Sequence, residues 1–153
     1  MTKNDILKSI QKIEKLDTTQ MLKLFSLTSF PIDEKRIEGY LKETDDKAYL
    51  DCGAEALRHL LDGLIVHKRG TPTNKTPEDT SVKLTNNMIL KKLRIAYELK
   101  EVDLFAIFHA VDIDITKSEL SSLFRNENHK KFRYCPDSIL QLFIEGLEIC
   151  EEA

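Results

Sequence analysis

Shifted by 83 positions, the chain lies on itself. Residues 4–66 set against 87–149 need no gap and are identical at twelve of 63 positions: Asn4/Asn87, Ile6/Ile89, Leu7/Leu90, Lys8/Lys91, Leu16/Leu99, Phe25/Phe108, Ile32/Ile115, Lys47/Lys130, Cys52/Cys135, Leu57/Leu140, Gly63/Gly146 and Leu64/Leu147. Many other pairs exchange one apolar residue for another, such as Met21/Leu104, Leu24/Ile107, Ile37/Leu120, Tyr49/Phe132 and Leu60/Phe143. Two stretches that keep one apolar register over this length must bury the same faces. The chain is therefore a duplicated unit. Between the copies, "RGTPTNKTPEDTSVKLT" (69–85) holds two prolines, a glycine and a cluster of Thr, Ser and Asn, which is linker chemistry. The expected organisation is repeat one over 1–68, a polar linker over 69–85 and repeat two over 86–150.

Each copy spells four helices. The first runs from about Asp5 to Leu16, with Ile6, Ile10 and Ile13 on one face, and its partner from about Met88 to Leu99. Asn4 and Asn87 stand where N-caps belong. The second helices carry Met21, Leu24 and Phe25, answered by Leu104, Ile107 and Phe108. In copy two the third helix opens with Thr116 and Glu119 at capping-box spacing, inside an Ile115/Leu120 staple. Copy one keeps the staple as Ile32/Ile37 and the cap as Asp33, but has Arg36 where the box wants Glu. The fourth helices are the most apolar, and Gly63 and Gly146 leave room there for a close helix approach. Pro136 suits a first helical position, which makes Cys135, and by the repeat Cys52, N-cap-like. No window alternates with period two for long. The fold class is all-α: two homologous four-helix repeats, packed with pseudo-two-fold symmetry.

Composition narrows the function. Hydrophobic residues are 41% and charged residues 32%, the balance of a globular chain rather than a disordered one. The formal charge of −3 supplies no global pull toward nucleic acid or an acidic membrane. No apolar run reaches the roughly 20 residues of a membrane span, and "MTKNDILKSIQKIEKL" is too charged for a signal-peptide core. Three cysteines without a CxxC pair then read as reduced thiols of a cytoplasmic protein.

Together, "NNMILKKLRIAYELKEVDL" and "ELSSLFRNENHKKFRYCPDSILQLFIEGL", with "NDILKSIQKIEKL" through "LDGLIVHKRG" in copy one, resemble the YehS-like family of small bacterial proteins. The resemblance covers nearly the whole chain. It implies a bacterial cytoplasmic protein of two related helical repeats, and it brings no activity and no catalytic residues, because the family is one of unknown function.

The residues point to no enzyme: there is no Gly-rich phosphate loop, nucleophile elbow or HExxH. No cofactor is implied, and His59, His67, His109 and His129 lack metal-ligand spacing. Cys52 and Cys135, each at a helix start, are candidate reactive thiols, since a helix dipole can lower a thiol pKa. The other candidate surface is basic. "EVDLFAIFHAVDIDITKSELSSLFRN" has the outline of a helix-turn-helix, and "RNENHKKFR" follows it. Candidate phosphate contacts are Lys117, Arg125, Lys130, Lys131 and Arg133, with Lys91, Lys92 and Arg94 on the first helix of the same copy. Against base reading, "KSELSSLF" lacks Arg, Asn and Gln, and the matching stretch of copy one, "ETDDKAYLD", is acidic. Two readings stand. One is a non-enzymatic cytoplasmic protein-interaction or regulatory module, with a protein partner or self-association. The alternative is helix-turn-helix-like nucleic-acid binding through the basic surface of repeat two.

Overall fold

The computed structural model describes residues 1–71 and 83–152. Among them the chain forms eight α-helices and no strand: α1 (Lys3–Glu14), α2 (Thr18–Ser26), α3 (Glu34–Leu41), α4 (Ala54–Arg69), α5 (Asn86–Ala96), α6 (Glu101–Ala110), α7 (Lys117–Phe124) and α8 (Asp137–Glu152). They divide into two compact units with the break between Leu84 and Thr85. Positions 72–82 of the expected linker lie outside the described residues.

In the first unit α4 packs on α1 and α2, and α3 packs on the same pair. In the second, α8 packs on α5 and α6, and α7 packs on α5. Apolar residues at helical spacing build each core. Phe25, Ile37, Leu57, Leu60 and Leu64 are fully buried in the first unit, and Ile89, Phe108, Phe143 and Leu147 in the second. Phe108 and Phe143 meet at 5.6 Å between ring centroids.

The helix ends repeat as faithfully as the helices. Thr2 caps α1 and Thr85 caps α5, Asp33 caps α3, and Thr116 with Glu119 completes the capping box on α7. Left-handed residues close the first helices at Lys15 and Glu98 and follow the second ones at Ser29 and Asp112. After each, a backbone N–H returns to a carbonyl five residues back, as in Leu16 to Gln11, Leu99 to Arg94, Phe30 to Phe25 and Ile113 to Phe108.

Asn4 and Asn87 are not caps, which corrects the sequence reading. Each sits in the first turn of its helix and points inward. The Asn4 side-chain N–H group donates to the carbonyls of Tyr40 and Leu50, and its oxygen accepts from the Cys52 N–H at 2.9 Å. Asn87 does the same with Leu123, Arg133 and Cys135. One buried amide thus ties the first helix, the end of the third and the loop entering the fourth, three chain segments whose backbone groups would otherwise be buried unpaired. The helices start earlier than expected because a Thr two residues before each Asn already supplies the cap.

The paired glycines mark a second anchor. A Cβ on Gly63 would stand 2.1 Å from the Leu24 carbonyl oxygen, and one on Gly146 would stand 2.2 Å from that of Ile107. Only glycine lets α4 lie so close on α2, and α8 on α6.

Candidate functional site

The walls of the second unit's surface cleft come from α7, the following loop and the start of α8. The capping box fixes the start of α7, and Leu120 and Leu123 bury its inner side. Its outer side carries Lys117, Ser118, Glu119 and Ser121. The loop then folds as two successive turns: His129 N–H donates to the Asn126 carbonyl, and Phe132 N–H to the His129 carbonyl. Side chains brace them, with Asn126 Oδ1 accepting from the Asn128 N–H and His129 Nδ1 from the Lys131 N–H. The Arg133 N–H donates to the Ser122 carbonyl, and Asn87 holds the Arg133 carbonyl, so the loop is laid back against α7.

Between these walls is a cleft of about 890 Å³. Lys117, Arg125, Lys130, Lys131 and Arg133 line it, with Glu119 as its one carboxylate and Tyr134, Pro136 and Ile139 at its far wall. Five of the nine lysines and arginines from residue 86 onward are gathered here, against one of that stretch's twelve carboxylates. A cleft lined by one sign of charge concentrates its field and draws counter-ions of the opposite sign. The Glu119 carboxyl is itself held below the usual carboxylate range by hydrogen bonds from Thr116, so it stays ionised.

Tyr134 is 64% exposed at this cleft, yet it is fixed in place. Its hydroxyl donates to Glu127 Oε1, which raises the tyrosine's pKa, and Phe132 meets its ring edge-on at 4.9 Å. Tyr134 was not among the sequence candidates. The signal was there in "HKKFRYC", where aromatic residues alternate with cations.

The structure sorts the candidate cations into two groups. Lys117, Arg125, Lys130, Lys131 and Arg133 come together. The three on α5 do not join them. Lys92 is buried, which removes it as a phosphate contact. Arg94 lies with its guanidinium 4.9 Å from the Phe124 ring centroid and donates from Nε to the Leu99 carbonyl. It lines an adjoining hollow of about 200 Å³ with Glu101, Leu120 and Arg125. Lys91 is exposed on α5 and is not part of the cleft lining. The helix-turn-helix outline also changes. The connection from α6 to α7 spans residues 111–116, longer than the three or four residues of that motif, and the outer side of α7 forms a cleft wall.

The cysteines run opposite to the expectation. Gly53, not Cys52, caps α4, and Cys135 lies before the start of α8. Both thiols are buried. Burial pushes Cys52 up to about 12, with Lys3 opposing it, and Cys135 up to about 11, with nearby Asp137 adding to it. Desolvation outweighs the helix dipole, so neither is an activated nucleophile. His59, whose Nδ1 sits 3.0 Å from Thr28 Oγ1, stacks on Phe30 at 4.6 Å and serves the packing of the first unit. Among the described residues no group of three or more His, Cys, Asp or Glu side chains is placed to hold a metal ion. No helix among them is long and apolar enough to cross a membrane.

Fold and site together define a class: a duplicated all-helical protein with a basic cleft on its second repeat. The chain belongs to the family described as "Protein of unknown function (DUF1456)", which matches it twice, over residues 3–70 and 86–151. It is similar to the uncharacterized protein YehS of Escherichia coli (strain K12), with 32% identity over 147 residues, 96% of this chain and 94% of that one. No solved structure matches it.

Proposed function

We propose that this protein is a non-enzymatic, cytoplasmic binding module of bacterial origin that holds nucleic acid by its phosphates in the basic cleft of repeat two. The observation that carries the reading is the segregation of charge. A chain with a formal charge of −3 places five cations around one concavity. Phosphate contacts need such a cluster, and they release counter-ions, so affinity must fall steeply with salt. With five contacts, log K should fall against log salt with a slope of about −3.5 on a single strand or about −4.5 on a duplex. Fluorescence anisotropy with labelled oligonucleotides measures it. Lys130→Glu/Lys131→Glu should abolish binding at physiological salt. A protein that binds no oligonucleotide at low salt, or binds without salt dependence, sinks the reading.

One observation favours a protein partner, a second copy of this chain. The loop of repeat one that matches the cleft's loop carries Glu43, Asp45, Asp46 and Asp51, a complementary set. Sedimentation at low salt tests it. A mass that rises with concentration, and returns to that of one chain in Asp45→Asn/Asp46→Asn, would support self-association through the same cleft.

A further inference from the structure

The nucleic-acid reading above leaves open which form of nucleic acid the cleft takes. We infer that it is single-stranded, with the exposed ring of Tyr134 as the platform on which a base stacks; the inference rests on that reading. A duplex is convex, and proteins read it by pushing a helix or ribbon into a groove. Here the cations line a concavity instead. The outer side of α7 offers Lys117, Ser118, Glu119 and Ser121, which form no paired amide or arginine fork for base edges. Proteins that hold single strands combine a basic groove along the backbone with aromatic rings that take any base.

Tyr134 meets the second requirement in detail. An aromatic ring this exposed is not part of the core, and it is not free to swing either. The hydroxyl is tied to Glu127 and Phe132 packs against the ring nearly at right angles, so little side-chain freedom remains to be lost when a base arrives. The same hydrogen bond occupies the loop's own carboxylate, Glu127, which is not among the residues lining the cleft. Arg133 precedes Tyr134 in the chain, and Lys130, Lys131 and Arg125 line the same cleft, so phosphates on either side of a stacked base would meet cations. Repeat one has Leu50 and Asp51 at the corresponding positions, which removes both the cation and the ring.

The test compares a short fluorescein-labelled oligothymidine, an abasic strand of equal length and a duplex of equal length, each titrated with wild type, Tyr134→Leu and Tyr134→Phe. Wild type should bind oligothymidine about tenfold tighter than the abasic strand. Tyr134→Leu should lose that advantage and leave abasic binding and the salt slope unchanged, whereas Tyr134→Phe should keep most of it. Equal wild-type affinity for the two strands, or a uniform loss in Tyr134→Leu, overturns the stacking role and leaves the phosphate cleft standing. Tighter binding of the duplex overturns the single-strand assignment. Binding of none of the three at low salt overturns the nucleic-acid reading and this inference with it. The ring is exposed, so the leucine variant should fold, and an unchanged melting temperature verifies that.

Discussion

The loop between the third and fourth helices is built alike in both repeats and decorated differently. In repeat two it presents Lys130, Lys131, Arg133 and Tyr134 beside Lys117 and Arg125. In repeat one the same six places hold Lys47, Ala48, Leu50, Asp51, Glu34 and Lys42. Underneath, the scaffold is identical: Leu50 N–H donates to the Gly39 carbonyl as Arg133 N–H does to that of Ser122, and Asn4 and Asn87 hold matching carbonyls. Even the floor differs only above the backbone. A Cβ on Gly39 would stand 2.6 Å from Leu50 Cδ1, so in repeat one a leucine lies over the place where repeat two has Ser122. The lesson is a division of labour along the duplicated chain. Residues that tie helices together are the same in both copies, and those that face solvent around the loop are free to differ, so that repeat two gathers cations around a cleft where repeat one does not.

The shared anchors should cost the same in either copy, and this is where the comparison is easiest to break. Asn4→Ala and Asn87→Ala each leave one buried carbonyl, one part-buried carbonyl and one buried N–H without a partner, an expected loss of about 3 kcal/mol in urea unfolding. A variant that loses less than 1 kcal/mol would show that its repeat is not held by the amide. Gly63→Ala and Gly146→Ala come next, at about 2 kcal/mol, because a backbone carbonyl must move to admit the new methyl group. A neutral alanine at one glycine and a costly one at the other would mean that the two helix pairs do not pack alike.

Most of the fold was legible in the sequence, for identifiable reasons. Helical periodicity, the capping box at Thr116 and Glu119, and the paired glycines are local signals, and the duplication let each copy check the other. Asn4 and Asn87 were misread because asparagine is a good N-cap and each precedes an apolar run. Their partners lie 36 to 48 residues away, and no local pattern shows such a contact. The site was half legible. Lys130, Lys131 and Arg133 are neighbours in sequence, but Lys117 and Arg125 join them only because the loop folds back on α7. Lys92 looked equivalent to Lys91, and one step along a helix turns a side chain from solvent to interior. Tyr134 was passed over because an aromatic near a buried Cys reads as core until its exposure is known.

An exchange of surface residues sharpens the comparison directly. Arg133→Leu/Tyr134→Asp gives repeat two the residues of repeat one and should lower affinity for oligothymidine at least tenfold, by loss of a phosphate contact and a stacking ring. Stability should change by no more than about 0.5 kcal/mol, since both side chains are exposed. The reverse exchange, Leu50→Arg/Asp51→Tyr, should create no binding, because Glu34, Glu38, Asp45 and Asp46 remain around it. Binding gained by repeat one would mean that the loop residues suffice without the cation cluster.

The last effect belongs to the two buried thiols together, and it is absent at neutral pH. Each is protonated in folded and unfolded chains below pH 9, where an ordinary thiol ionises. Above that, an unfolded thiol gives up its proton while the folded one keeps it, up to about 11 for Cys135 and about 12 for Cys52. The unfolded state then binds fewer protons, so stability falls as pH rises through this window. Wild type should therefore lose more stability than Cys52→Ala/Cys135→Ala between pH 9 and pH 11 in urea unfolding. Groups common to both proteins cancel in the difference, apart from Tyr40 and Tyr49, which the Cys52 thiolate helps to raise and whose share leaves with it. Each single variant should recover part of that difference, because burial pushes both thiols up. Equal pH slopes in wild type and the double variant would show that the thiols are not held in the dry interior that Asn4 and Asn87 help to close.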